Sequence, residues 1–501
     1  MTFCSNGFRA VVSGLPPGIT SKEKEGEQKM ENKPKLTNGI INSYALANGL
    51  NTMAFTVPTL YLSMFMTDYL GISPVAMGTG MLIAKTADFI ISLVAGIIIE
   101  KSNMKHGKYL SWIRLLTVTL FFGNIVQMLD TTAFVSNTTV RLVIVMIGYM
   151  MFHCSMNFNA TARGALIPKL AGANMEDRKK LTARQGQVGA AISIISSAIT
   201  LPCVQLVQKL TGSETLGYFL VPVVFHLGFV VTNIMYVKQA APFDPPVEKA
   251  AAAKSRPSIG QMVSSLVSNK QMLILFVAFT INGIGGQLYA GVTTYFFRVT
   301  GSFSSYTIVL TARSITAFLA SLVAPSIGRK LGKKGALVIG WLLTVFAGVV
   351  IWLFALNKDG SANVLAMAFA MCLKQCAMYL YFVFTANYWL DCGEYGYYTS
   401  GIDNRTMAVT CMNWPTKISM ALGGSLVGYG IAWAGYRPPV AGGLPSFANM
   451  GRFMTIIGVA PAIFSLVAVV IIILFYKLTD AQAAEYARLN VEREAAAKAA
   501  H

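Results

Sequence analysis

Charge is what this sequence has least of. Only 12% of its 501 residues are Asp, Glu, Lys or Arg, where a soluble domain carries about 25%. Such a chain is short of the charge that a water-facing surface needs, and its 54% hydrophobic content points to lipid as the solvent. Acidic residues are the scarcer sign, 21 against 40 basic ones, for a net charge of +19. In a soluble protein that balance would suggest nucleic acid. Here the basic residues sit mainly in short loops between apolar runs, so membrane topology accounts for them and no nucleic-acid partner is expected. The seven cysteines follow no disulfide or metal-ligand spacing; Cys372 and Cys376, four apart on an apolar run, read as small core residues. A Gly-rich phosphate loop, a His/Asp metal cluster and a nucleophile motif are also missing. Neither an enzyme nor a cofactor is expected.

What the chain does have is length in apolar runs. A spanning helix needs roughly 20 apolar residues, and 336–356 and 454–476 meet that length without one charge. Hydropathy predicts twelve spans, at 40–68, 74–100, 109–130, 140–168, 184–208, 216–238, 271–297, 304–328, 335–356, 362–390, 407–435 and 453–476. Residues 1–36 are polar and Lys/Glu-rich, with no apolar core of signal type. The first 29 lack hydrophobic periodicity and are expected to be disordered, or to come from a start codon upstream of Met30.

An even number of spans puts both termini on one side of the membrane. Loops after even-numbered spans hold eighteen Lys and Arg, against six after odd-numbered ones, which predicts cytoplasmic termini in a bacterial inner membrane. The longest interior connection, 239–270, contains APFDPPVEKAAAAKSRPS, a Pro/Ala/charged linker. It divides the chain into six-span halves, 37–238 and 271–477, followed by a tail over 478–501. The loops EKSNMKHGKY and GRKLGKKGA occupy equivalent positions in the two halves. This all-α, six-plus-six organisation is the architecture of the major facilitator superfamily, whose halves pack around a midplane cavity.

Ionisable groups inside spans are costly and usually face a polar cavity or a partner. The candidates are Lys85 and Asp88 in the second span, Arg163, Arg313, Lys374, and Lys417 in the eleventh. Lys85 and Asp88 are three apart, so they share a helix face and can pair. Arg163 and Arg313 lie near span ends, where a long side chain can snorkel to the interface. Neutral polar groups cluster as well: Asn48, Asn51 and Thr52; His153, Ser155, Asn157 and Asn159; Asn282 and Gln287; Asn413, Trp414 and Thr416 beside Lys417. Amides, hydroxyls and an aromatic ring suit a polyhydroxylated ligand, though such groups also glue helices together.

Three stretches carry a resemblance. They are KTADFIISLVAG with HGKYLSWI, then DCGEYGYYTSGIDNRT with WPTKISMALGGSLVGYGIAWAGY, and the tail YKLTDAQAAEYARLNVERE. In these, and end to end from about residue 36, the chain resembles the glycoside–pentoside–hexuronide:cation symporters, typified by the melibiose permease. The resemblance implies a secondary transporter that couples a sugar or glycoside to H+ or Na+ by alternating access. It places Asp88 at the coupling-cation site, with Ser92 standing where the family has a second carboxylate and Asn157 where it has a hydroxyl. Lys417 is the lysine near that site, Arg184 the inner-gate arginine, and Thr52 and Ala160 fall where sugar-binding aspartates are found. A lone carboxylate favours a proton over Na+, because it can titrate without a coordination shell. The expected substrate site is Asn51, Thr52, Lys85, Asn413, Trp414 and Lys417. With few carboxylates to offset its lysines, it should prefer an acidic hexuronide-type sugar, held through Lys417. The alternative has Lys85 and Lys417 both satisfying Asp88, which leaves a neutral cavity. A cation-independent facilitator and a non-transporting sensor with the same fold are the rival functions. The chain is expected to act as a monomer in the bilayer.

Overall fold

The computed structural model describes residues 35–102, 104, 106–172, 174–245, 259–403, 405–440 and 443–499. The readings of residues 1–29 and of most of the Pro/Ala linker therefore lie outside the described residues. The apolar runs form helices: α1 (Asn38–Met64), α2 (Pro74–Lys101), α3 (Lys108–Gln127), α4 (Thr138–Ala171), α5 (Met175–Thr211) and α6 (Leu216–Ala240). After the linker come α7 (Ile259–Ser268), α8 (Lys270–Val299), α9 (Phe303–Phe354), α10 (Val364–Phe382), α11 (Thr385–Ser400), α12 (Arg405–Cys411) and α13 (Trp414–Trp433). The chain closes with α14 (Met450–Met454), α15 (Ala460–Phe475) and α16 (Asp480–Ala499). A two-residue hairpin, Tyr436–Arg437 against Ser446–Phe447, precedes α14. Among the described residues, nine helices are long and apolar enough to cross a membrane; α1 and α13, interrupted by polar residues, are not among them. Large apolar side chains such as Ile83, Ile90 and Leu365 point outward, as lipid requires.

At 52 residues, α9 would be about 78 Å long if straight, more than twice the hydrocarbon thickness. It breaks at Gly332 (φ 71°, ψ 161°), a conformation that only glycine adopts without strain. Proline does the same work in the eleventh span. Pro415 offers no N–H to the carbonyl four residues earlier and its ring crowds that group, so the run divides into α12 and α13.

The two halves repeat one capping device. Gly107 has φ 93°, and beside it the Asp244 carboxylate accepts the Tyr109 and Leu110 amides at 2.6 and 2.9 Å, capping α3. In the second half Gly332 occupies the matching loop, and the Asp480 carboxylate accepts the Lys333 amide at 3.0 Å. Each aspartate follows the last span of its half and anchors the third, so the repeat visible in the loop sequences is an anchoring repeat. The tail helix α16 docks on α11, with Asn490 donating to the Glu394 carboxylate at 2.7 Å.

The cores are distributed unequally along the bundle. At the end far from the termini one hydrophobic cluster draws on both halves, including Tyr61, Phe65, Met77 and Tyr218 together with Phe296, Tyr306, Ile351 and Ile457. At the termini end the buried members divide by half, one core around Tyr44, Leu166 and Tyr236 and another around Trp341, Trp389 and Ile472, with Phe89 and Leu93 of α2 packed against the latter. The halves also meet where α2 crosses α13, at Gly78 and Gly428. A Cβ on Gly78 would sit 2.8 Å from the Ser425 carbonyl oxygen, and one on Gly428 would strike the Pro74 carbonyl. Backbones this close are the basis of small-residue packing in lipid. Gly428→Val should therefore force the crossing apart at a cost of about 1–3 kcal/mol or more, seen as a lower unfolding temperature in detergent. Gly164→Ala, which meets nothing within 4 Å, should leave that temperature unchanged.

Candidate functional site

The break before α13 delivers Lys417 to the middle of the bundle, opposite α2 and α4. Lys417 Nζ donates to Asp88 Oδ2 at 2.7 Å and to Asn157 Oδ1 at 2.8 Å. Asn157 Nδ2 donates to Asp88 Oδ1 at 2.5 Å, which closes a triangle of three side chains from three helices. Asp88 is 2% exposed. A carboxylate so buried stays ionised only while a cation and hydrogen-bond donors compensate it, and here both come from outside its own helix.

This geometry corrects the expectation that Lys85 and Asp88 pair along one face. Asp88 reaches across to Lys417 instead, while the Lys85 ammonium packs against α13 at Gly424, where a Cβ would collide with it. Lys417 in turn is held by Asp88 and is not a free contact for a substrate carboxylate. Ser92 donates to its own helix at Phe89 O, 2.6 Å away. Asn51 is buried and donates to the Met156 sulfur. Arg184 bonds Asn42 Oδ1 at 2.9 Å, a contact within the first half. Arg163 does not snorkel. It is 4% exposed, donates to Asn159 and Asn233, and lies over the Tyr236 ring. His153 stacks on Tyr149 with centroids 3.9 Å apart, as a core histidine would.

Two spaces flank this centre. A crevice of about 940 Å³ at the termini end is lined by Ser92, Asn157, Asn413, Trp414 and Lys417, with α7 contributing Ile259 and Met262. A central cavity of about 540 Å³ lies between α1, α5, α8, α9, α10 and α15, within the size range of small-molecule sites. Thr52 belongs to this second space, together with Thr56, Ser193, Ser196, Arg313 and Lys374. The structure thus divides the expected substrate residues between two compartments, and leaves Asn51 and Lys85 out of both linings. From the sequence Lys374 is a possible third lysine of the substrate cavity and Arg313 a residue able to snorkel; the structure puts both in this cavity's lining, and the hydroxyl rows beside them went unread. The spacing of Thr52, Thr56 and Thr59, and of Ser193, Ser196 and Ser197, was their available signal: one polar helical stripe in each apolar run.

The far end is closed by a cluster that hydropathy did not reveal. Tyr436 donates to Asp68, Arg298 lies 3.6 Å from the same carboxylate, and Arg298 also donates to Tyr69 at 3.0 Å. Asp68 and Arg298 come from opposite halves, so this ion pair ties them together. At the termini end the described charge pairs stay within one half: Lys169–Asp244 in the first, Lys333–Asp391 and Arg405–Glu494 in the second.

A helical bundle clad in apolar side chains, with a buried ion pair at its centre and cavities of solute size, is a polytopic membrane transporter. A family profile described as MFS/sugar transport protein matches residues 43–480, and the chain belongs to that family of transporters; it is not an enzyme. An isoprimeverose transporter of Lactiplantibacillus pentosus is 23% identical over 79% of this chain and 80% of its own. A glucuronide carrier protein homolog of Escherichia coli K12 is 22% identical over 88% and 92%. Among solved structures the nucleoside transporter NupG shares the fold, with TM-score 0.61 at 14% identity, covering 88% of this chain and all of that one.

The triangle makes a testable demand on stability. Lys417→Met leaves Asp88 buried without a cation, which should cost about 3–5 kcal/mol. Asp88→Asn combined with Lys417→Met removes both charges, so the double variant should melt above Lys417→Met alone in detergent. Additive losses would show that the two side chains are not coupled.

Proposed function

We propose that this chain is a cation-coupled sugar or glycoside symporter of the bacterial cytoplasmic membrane that works by alternating access. The proposal counts twelve spans: the nine long apolar helices with α9 taken as two, plus α1 and α13. Both termini lie in the cytoplasm, which makes the sealed end periplasmic and the open crevice cytoplasmic. Asp88, Ser92 and Asn157 are the coupling group, and Arg184 sits at the inner gate.

One observation carries this reading: a buried carboxylate is neutralised by a lysine of the other half, on the wall of a crevice at the unsealed end. Such a pair is a two-state element. A proton on Asp88 removes the charge that holds Lys417, which loosens the tie between α2 and α13 and changes how easily the halves rock. A proton fits better than Na+, since Asp88 is the one carboxylate here among the described residues and Ser92 stands where the resemblance would put a second. The isoprimeverose transporter and the glucuronide carrier homolog among the relatives support a sugar as cargo, and the hydroxyl rows of the central cavity suit one.

The test is accumulation in proteoliposomes under an imposed pH gradient. Asp88→Asn should abolish ion-driven accumulation, because the amide mimics the protonated acid and cannot titrate, yet leave substrate exchange at a comparable rate. Ser92→Ala should matter strongly only if Na+ drives uptake. Normal concentrative uptake by Asp88→Asn would reduce Asp88 to a structural partner of Lys417 and put the coupling elsewhere, whereas equilibration without accumulation by the unaltered chain would point to a facilitator.

A further inference from the structure

The central cavity has walls of opposite chemistry. On α8, α9 and α10 it carries two cations, and none of the described residues lining it is acidic. The Lys374 ammonium lies 3.6 Å from the centre of the Tyr289 ring, and Arg313 Nε donates to Gln375 Oε1 at 2.9 Å. Neither cation forms an ion pair among the described residues. A lysine has three N–H donors and an arginine five, so most of this donor capacity faces the cavity unanswered. The ring and the amide offset part of the cost of two like charges at membrane depth. The remainder calls for an anion.

The opposite wall consists of acceptors. Thr52 and Thr56 donate their hydroxyl protons to backbone carbonyls of their own helix at 3.2 and 3.1 Å. Ser196 shares a proton with Thr56 at 2.9 Å. Once those protons are committed, the oxygens that face the cavity have lone pairs to offer, which accept from a ligand's hydroxyls. The other two membrane lysines do not supply this combination. Lys417 is bound by Asp88, and Lys85 lines neither cavity.

We propose that Lys374 and Arg313 form an anion subsite, and that the substrate is a polyhydroxylated organic acid. Its acid group docks between these two side chains while its hydroxyls donate to the Thr52, Thr56 and Ser196 wall. The shared chemistry is a compact oxyanion on a sugar-sized frame: a carboxylate, a sulfonate or a phosphate. The inference rests on the transport reading of this cavity and deepens it, by moving the acid contact from Lys417 on α13 to α9 and α10.

The experiment measures binding to the full-length protein in detergent by titration calorimetry. The probes are methyl β-D-glucuronide, its neutral partner methyl β-D-glucoside, and the 6-sulfo and 6-phospho derivatives of the glucoside. At least one acid should bind tenfold or more tighter than the neutral glycoside, and the order among the three identifies the oxyanion. Lys374→Gln and Arg313→Gln should each lower the acid-to-neutral affinity ratio at least tenfold, and Lys374→Arg should restore most of it. The wild-type ratio needs no variant, so misfolding of a glutamine variant cannot shield the idea. Tighter binding of the neutral glycoside, or a ratio that neither glutamine variant moves, overturns the anion subsite and leaves the sugar-transport reading standing. Succinate is a fifth probe: its binding, abolished by Lys374→Gln and with no sugar of either charge bound, would keep the anion contact but overturn both the polyhydroxylated substrate and the sugar-transport reading. No binding by any of these probes would overturn both.

Discussion

The contact on which the rest depends is the ion pair between Asp88 and Lys417. Asp88 is buried while Lys417 lines the crevice with 23% of its side chain exposed, so the carboxylate is tolerable only because the ammonium is 2.7 Å away and Asn157 bridges both. Such a pair is poor evidence for stability, since an apolar replacement of both partners is often neutral or better. Its value lies in what it joins. Helices α2 and α13 belong to opposite halves, and their backbones touch at Gly78 and Gly428. A change at Asp88 therefore acts directly on the seam between the halves.

The same seam explains why the bundle is unequal at its two ends. Far from the termini, one apolar core and the Asp68–Arg298–Tyr436 cluster join the halves. At the termini end, each half closes on itself. Asp244 caps α3 and binds Lys169, while Asp480 caps the second arm of α9 beside Lys333. Those caps make each half rigid without tying it to the other, which suits two bodies that rock. A helix start has four orphan amides, of which Asp244 answers two and Asp480 one, and a neighbouring glycine lets the chain approach each aspartate. Both halves solve the problem in the same way, as descendants of one repeat would.

Two cavities of different character flank this seam. The crevice near Lys417 has its charge already balanced by Asp88. The central cavity has two cations facing a wall of hydroxyl oxygens. Among the described residues the ion-paired carboxylate and the two unpaired cations thus stand in separate spaces.

Some of this was legible in residues 1–501 alone. Apolar length and the scarcity of charge are additive properties of the chain, so the membrane class, most span positions and the break near residue 332 could be read directly. The motifs around Asp88 and Lys417 also announced the family. Pairing was another matter. Lys85 and Asp88 are three residues apart and looked like partners, because helical periodicity is the one geometry a sequence displays. Asp88 pairs instead with a lysine 329 positions away, and Lys374 and Arg313 line one cavity only because α9 and α10 pack side by side. Local backbone geometry decides which residues share a helix face, and the sequence determined that much. Which faces meet depends on how many runs of similar hydrophobicity pack in lipid, where small residues and buried polar bonds choose the neighbours; only the tertiary structure decided it.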